Sequence, residues 1–178
     1  MTDYVFGYGS LVGRGGRVCE LSGHRRLWGV AMDNSETIAG YKYYVDARTG
    51  ERPPVFVAFL DVQPGEGAVN GVAVPVGPAD LAALDRRERN YRRVDVTDAV
   101  APRPGAGRIW TYVGSTDARA RRERGLAEGS LVVSAEYTAL VAEGFAALGR
   151  DAAARYRAST DDPPCALADL RRVDVPPA

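Results

Sequence analysis

Two features of the sequence carry residue types that are suited to chemistry. The first is the stretch from Phe6 to Leu11, in which Gly7 and Gly9 follow a short run with strand chemistry. Glycines let the backbone turn and approach a ligand closely, and such a turn presents consecutive N–H groups to an anion or a developing oxyanion. The second feature is Glu88, a carboxylate that a helical pattern places among apolar residues. A donor-rich loop and one acid together predict a minimal active site.

The position of Glu88 follows from a helix that begins near Pro78. Leu81, Leu84 and Glu88 are spaced i, i+3 and i+7, so they share one helix face. A carboxyl group that is buried without a partner holds its proton to higher pH, which a general acid/base near neutral pH requires. The alternative is that Glu88 is the helix-end partner of a neighbouring arginine. Asp85, near the same face, is a competing acid, and the pattern alone leaves these interpretations open.

The elements that must position these residues are strands followed by helices. The strand-like runs 55–62 and 69–76 flank Pro64 and Gly65, which predicts an antiparallel hairpin. Ser134 is a good N-cap for an amphipathic helix that ends at Gly149. The whole pattern predicts an α+β fold, with a mixed, partly barrel-like β-sheet and flanking helices. We interpret the chain as one domain over residues 1–178.

Composition and charge exclude several classes of function. Hydrophobic residues make up 46% and charged residues 26% of the 178 residues, which is typical of globular proteins. The 23 basic and 23 acidic side chains give a formal net charge of +0, so electrostatics favour neither a nucleic acid nor an anionic membrane as partner. The N-terminus lacks the basic and apolar regions of an export signal, and no run approaches the ~20 apolar residues of a membrane span. We expect a cytoplasmic protein.

The remaining reactive side chains predict no other chemistry. Cys19 and Cys165 lack metal-site spacing, and the only histidine, His24, is interpreted as a surface or turn residue. We therefore expect neither a metal nor a cofactor. The arginine-rich segment 118–125 is interpreted as a solvated helix face or loop, and the tyrosines at 41, 43 and 44 as residues that line a pocket or cover the sheet.

The two candidate motifs resemble those of the γ-glutamylcyclotransferase superfamily, which includes AIG2-like proteins. Tyr8-Gly9-Ser10-Leu11 after a short strand is similar to the signature loop, segment 84–94 is similar to the motif that carries the catalytic glutamate, and segment 69–73 is similar to the strand before it. The resemblance implies that Glu88 is the acid/base. It also implies that a small set of residues holds the γ-glutamyl group: Tyr8, Gly9, Ser10, Leu11 and, unless it packs only in the core, Tyr112. For Tyr91 the same two interpretations stay open.

The implied activity is a cofactor-free intramolecular cyclotransferase of the lyase or acyltransferase type. A γ-glutamyl amide contains its own nucleophile, the α-amine, and one carboxylate suffices for both proton transfers. The products would be 5-oxoproline and a free amine or amino acid. The substrate stays open between glutathione, a γ-glutamyl amino acid and the γ-glutamyl conjugate of a specialised amine. The oligomeric state also stays open, with a homodimer as one alternative. The alternatives are a non-catalytic small-molecule binding module on the same scaffold and a biosynthetic enzyme that removes a γ-glutamyl protecting group.

Overall fold

Two long strands form the centre of the fold in the computed structural model, which describes residues 2–177. Strands β2 (Arg17–Asp33) and β4 (Phe56–Val76) pair antiparallel along their length. Their register shifts between Ser22 and His24 and again between Leu27 and Val30. Such irregularities bend a strand and increase its twist, which lets a long ribbon curl.

Shorter elements surround this ribbon. The other strands are, in chain order, β1 (Asp3–Gly7), β3 (Lys42–Asp46), β5 (Tyr91–Asp95), β6 (Val100–Ala101), β7 (Ile109–Gly114), β8 (Leu131–Ser134), β9 (Leu167–Ala168) and β10 (Leu170–Asp174). A 3₁₀ helix (Ser10–Arg14) follows β1. The α-helices are α1 (Pro78–Arg87), α2 (Thr116–Ala127), α3 (Ala135–Ala147) and α4 (Arg150–Ala158).

The sheet is mixed, as the sequence predicts. Its strands lie in the order β5-β7-β1-β4-β2-β6, with β8 beside β4 and β9 beside β8. Strand β1 pairs antiparallel with β4 and parallel with β7, while β10 and β3 form a separate two-stranded sheet. The sheet curls into a half-barrel, and α3 packs its buried Val141 and Phe145 against the core. The α+β, partly barrel-like fold is thereby confirmed.

The predicted hairpin at Pro64-Gly65 is wrong. Strand β4 continues through this segment, because β2 is long enough to pair with both halves of it. Between Ala68 and Pro64 the chain of β4 advances four residues while β2 advances only from Ser22 to His24. The extra residues form a bulge, in which a proline without an N–H and Gly67 at φ 99° are tolerated.

The helix signals are better predictors than this turn signal. Pro78 is the first residue of α1, and the Ser134 hydroxyl accepts a hydrogen bond from the N–H of Tyr137 at 3.3 Å at the start of α3. However, α1 ends at Arg87, and Glu88 is its C-cap with φ −86° and ψ 55°. The expectation that Glu88 lies on a helix face is therefore wrong. Glu88 is the residue at which the chain leaves the helix.

The arginine-rich segment forms helix α2, and three of its arginines point inward. Arg119 pairs with the fully buried Asp61 at 3.0 Å. Arg121 and Arg122 donate from Nε to backbone carbonyls of β2, at 3.0 and 3.2 Å. The expectation of a simply solvated face is wrong, because the guanidinium groups satisfy carbonyls and a carboxylate of the sheet. Within residues 2–177, no helix has both the length and the apolar character to cross a membrane.

Candidate active site

The loop after β1 leaves several backbone donors available. The carbonyl of Gly9 accepts a hydrogen bond from the N–H of Val12 at 3.0 Å, which turns the chain into the 3₁₀ helix. Within residues 2–177, the N–H groups of Gly9, Ser10 and Leu11 have no hydrogen-bond acceptor. The hydroxyl of Ser10 likewise makes no hydrogen bond within the described residues. These donors are suited to an anionic or carbonyl oxygen of a ligand.

Two adjoining cavities lie beside this loop. The smaller, of about 40 Å³, is lined by the loop itself, by Leu60 and by Tyr112. The larger, of about 340 Å³, is lined by residues of β3, β10 and α3 and by the ring of Phe59. Four residues line both cavities: Ser10, Glu88, Tyr91 and Tyr137. One ligand could therefore occupy both, with its two parts on either side of these residues.

Glu88 lies at the junction of the two cavities. Its side chain is 16% exposed, and Oε1 is 3.1 Å from Nε of Arg87. The ion pair agrees with the interpretation of Glu88 as the helix-end partner of an arginine, and Glu88 also lines both cavities. The expected burial of the Glu88 carboxyl group without a partner is not found, because Arg87 is its partner. A carboxylate with one ion pair keeps acceptor sites for a ligand, because it has about four lone-pair positions.

The competing acid, Asp85, has other partners. Its carboxylate accepts a hydrogen bond from the hydroxyl of Tyr112 at 2.8 Å and pairs with Arg93 at 3.1 Å. Its side chain is 43% exposed, and it lines neither of the two cavities. Asp85 therefore orients Tyr112 from outside the site.

The tyrosines predicted from the sequence line the smaller cavity, and their hydroxyls are already hydrogen-bonded within the protein. Tyr8 and Tyr91 donate to the backbone carbonyls of Tyr112 and Leu60, at 2.6 and 2.7 Å. Burial raises the pKa of Tyr8, Tyr91 and Tyr112 well above the usual value, so all three are neutral phenols. Tyr112, 5% exposed, belongs to the core and also lines the smaller cavity. The two interpretations of Tyr112 and Tyr91 are therefore not exclusive.

Two residues that line the site, Tyr137 and Lys42, are not predicted as site residues from the sequence. Tyr137 of α3 lines both cavities, and its ring packs edge-on against Phe59 with centroids 5.0 Å apart. Lys42 of β3 lines the larger cavity, where desolvation and then the charge of Arg172 lower its pKa to about 8. One signal for Lys42 was available, since it is the only lysine among the 23 Lys and Arg residues.

The other candidate residues lie apart from the two cavities. His24 is on β2, where Nδ1 is 2.8 Å from the carbonyl oxygen of Ser22. Burial raises the pKa of the Cys19 thiol to about 11, which makes it a poor nucleophile. Within residues 2–177, no three His, Cys, Asp or Glu side chains come together as a metal site. Of the tyrosine cluster, Tyr41 and Tyr44 line the larger cavity.

Comparisons with known proteins agree with this architecture. Residues 5–143 match the model of the family described as gamma-glutamyl cyclotransferase, AIG2-like. A solved structure named gamma-glutamyl cyclotransferase is 13% identical, with a TM-score of 0.54 over 95% of both chains. An uncharacterized protein from Homo sapiens is 14% identical, with a TM-score of 0.53 over 94% of both chains. At these identities the two structures show the fold alone.

Curated protein sequences contain no significant match to this chain. The family match nevertheless spans the loop after β1, the region of Glu88 and the strand that carries Tyr112. It covers well over half of the chain, and the fold agrees with it independently. The chain therefore belongs to the gamma-glutamyl cyclotransferase, AIG2-like family.

Proposed function

We propose that this protein is a cofactor-free cyclotransferase that converts a γ-glutamyl amide into 5-oxoproline and a free amine. The observation that carries the proposal is the position of Glu88, a carboxylate at the junction of two cavities and beside a loop whose N–H groups have no acceptor within residues 2–177. That arrangement supplies one proton carrier and one oxyanion site, which is all that an intramolecular acyl transfer needs.

In this proposal the glutamyl part lies on the side of the loop. Backbone N–H groups of Gly9, Ser10 and Leu11 are donors for the γ-carbonyl oxygen or the α-carboxylate. Tyr8, Tyr112 and Leu60 form the apolar wall that excludes water around the folded chain of the substrate. Holding the α-amine near the γ-carbonyl replaces a bimolecular encounter and supplies much of the rate.

Glu88 then carries the proton between two nitrogen atoms. Its carboxylate takes a proton from the α-ammonium, and the amine attacks the γ-carbonyl carbon to form the ring C–N bond. Loop N–H groups stabilise the oxyanion that develops. As the original amide C–N bond breaks, Glu88 returns its proton to the departing nitrogen. The attacking nitrogen loses a second proton, which the freed amine takes up through solvent. The ion pair with Arg87 keeps the carboxylate in place between substrates.

The test is product identity with a panel of γ-glutamyl conjugates of glutathione, amino-acid and alkylamine type. We expect 5-oxoproline and the free amine in equal amounts, quantified by mass spectrometry, from at least one class. Glutamate as product would mean hydrolysis by water and would contradict the proposal. Binding of a conjugate without any turnover would instead support a non-catalytic binding module.

A further inference from the structure

In the part of the chain that the structure describes, the larger cavity contains one cation without an acidic partner. Arg87 is paired with Glu88, and Arg172 is paired with Asp174 through Nε at 2.7 Å. Within residues 2–177, Lys42 has no carboxylate within 4.0 Å and no hydrogen-bond acceptor for its ammonium group. The charged side chains that line this cavity are Lys42, Arg87, Glu88, Glu136, Arg172 and Asp174.

Three aromatic rings lie close to the ammonium group of Lys42. Nζ lies 4.2 Å from the ring centroid of Phe59, 5.6 Å from that of Tyr41 and 5.8 Å from that of Tyr44. Aromatic faces attract a cation, but they provide no oxygen or nitrogen acceptor for the three N–H groups of an ammonium. A partly desolvated ammonium group whose N–H donors have no acceptor is unfavourable for the folded protein unless a ligand binds it. The lowered pKa of Lys42 has the same origin, since burial disfavours its charged form.

The cavity also has the size and lining of a binding site for an organic group. Its volume of about 340 Å³ lies within the range of small-molecule pockets. Aromatic rings of Tyr41, Tyr44, Phe59 and Tyr137 form much of the wall, and Glu88 marks the end that adjoins the loop. A group that extends from the scissile amide past Glu88 would enter a cavity lined by these rings and by Lys42.

We propose that Lys42 determines specificity for the leaving amine, by binding an anionic group that this part of the substrate carries into the larger cavity. The inference rests on the proposed function, which assigns the glutamyl part to the loop. The substrate class is then a γ-glutamyl conjugate of an amine that has an apolar or aromatic body and a carboxylate. Conjugates of neutral amines lack the partner for Lys42.

The test compares two conjugates that differ in one group, γ-glutamyl-L-phenylalanine and γ-glutamyl-L-phenylalaninamide. We expect kcat/KM for 5-oxoproline release to be about tenfold or more higher for the carboxylate, a typical scale for a charge-assisted contact. Lys42→Met should bring this ratio close to one, and Lys42→Arg should keep part of it. A ratio near one in the unmodified protein, which needs no variant, would overturn the proposal. An equal loss with both conjugates in Lys42→Met would mean a structural role and would also overturn it.

Arg172 provides a matched control, because it is a cation of the same cavity whose partner is already present. Arg172→Met should change kcat/KM of the two conjugates by the same factor. If neither conjugate releases 5-oxoproline while another member of the γ-glutamyl panel does, the substrate class proposed here is wrong. If no member of the panel does, the proposed function fails, and dissociation constants of the two conjugates from calorimetry then decide the role of Lys42. Tighter binding of the carboxylate that Lys42→Met abolishes would support that role. Equal binding of both conjugates, or of neither, would contradict it.

Discussion

Gly9 lies where the loop after β1 passes close to Tyr137 of α3. A Cβ atom at Gly9 would be 3.1 Å from the Tyr137 hydroxyl, so this hydroxyl would have to move at the junction of the two cavities. We expect Gly9→Ala to crowd the substrate against the loop donors and to lower kcat/KM by roughly 10²-fold, the scale of the about 3 kcal/mol that loss of one such donor costs. The thermal midpoint should change little, because the contact is with the end of one side chain.

Tyr137→Phe is the matched background for this substitution. It removes the hydroxyl that the new methyl group would meet, so Gly9→Ala should cost less activity there than in the unmodified protein. Full activity of Gly9→Ala, or a loss explained by unfolding alone, would show that the loop is structural and does not hold the substrate.

Lys42 offers a direct measurement of the charge in the larger cavity. Because it is the only lysine, protein labelled with ¹³C-lysine gives one ε resonance to follow by NMR. We expect its midpoint near pH 8 in the free protein instead of 10.5, so the positive charge is present below about pH 8 and lost above it. The preference for an anionic leaving group should fall through the same range. The charged and titratable groups that face this cavity with Lys42 are Tyr41, Tyr44, Arg87, Glu88, Tyr91, Glu136, Tyr137, Arg172 and Asp174.

The sign of the effect on stability follows from the same shift. Between pH 8 and 10.5 the unfolded chain binds more protons at Lys42 than the folded protein does, so the contribution of Lys42 to stability rises with pH there. A midpoint near 10.5 would contradict the lowered pKa of Lys42 and the partial desolvation of its ammonium group that explains it.

At the scale of elements, helix α2 is attached to the sheet through a buried carboxylate. Asp61 of β4 is fully buried, accepts the N–H of Gly114 at the end of β7 at 2.7 Å, and pairs with Arg119 of α2. Arg119 is 37% exposed. Removal of Arg119 and removal of Asp61 should therefore cost different amounts of stability. Of the two side chains, only the arginine can reach solvent when its partner is missing.

We expect Arg119→Met to lower the free energy of unfolding by about 3 kcal/mol, since it leaves a buried carboxylate without its counter-charge. Asp61→Asn should cost about 1 kcal/mol, because the amide oxygen still accepts a hydrogen bond and Arg119 turns to water. Urea denaturation of both variants and of the double variant measures the difference. A larger cost for Asp61→Asn than for Arg119→Met would contradict this account of the pair.

At the scale of the whole molecule, the two cavities are built from different parts of the chain. The loop, Glu88 and Tyr112 lie within residues 5–143, which match the family. The wall of the larger cavity also includes Arg172, Asp174, Val175 and Pro177, which lie after the matched region. Strand β10 holds this segment in place by pairing with β3. Under the proposed function, the space for the leaving amine therefore depends partly on residues outside the match, whereas the groups proposed to react lie within it.

The sequence predicts the parts of this architecture that depend on local signals. The N-cap at Ser134, the start of α1 at Pro78 and the glycine loop after β1 depend on nearby residues, and the structure contains all three. Pro64-Gly65 is also a strong local signal, but pairing with a distant strand overrides it. For the site, the loop and Glu88 could be found from motifs, whereas the structure alone brings Tyr137 and Lys42 to them.

If the Glu88 carboxylate transfers the proton, an amide in its place must remove most of the turnover, and Glu88→Gln measures this loss. Glutamine keeps the size of the side chain and most of its hydrogen bonding but cannot accept the ammonium proton. With the best γ-glutamyl conjugate, we expect kcat to fall by roughly 10²-fold or more while the thermal midpoint stays near that of the unmodified protein. Asp85→Asn is the matched control and should lose far less, since Asp85 lies outside both cavities. Comparable turnover in Glu88→Gln, or a larger loss in Asp85→Asn, would contradict the assignment of Glu88 as the acid/base.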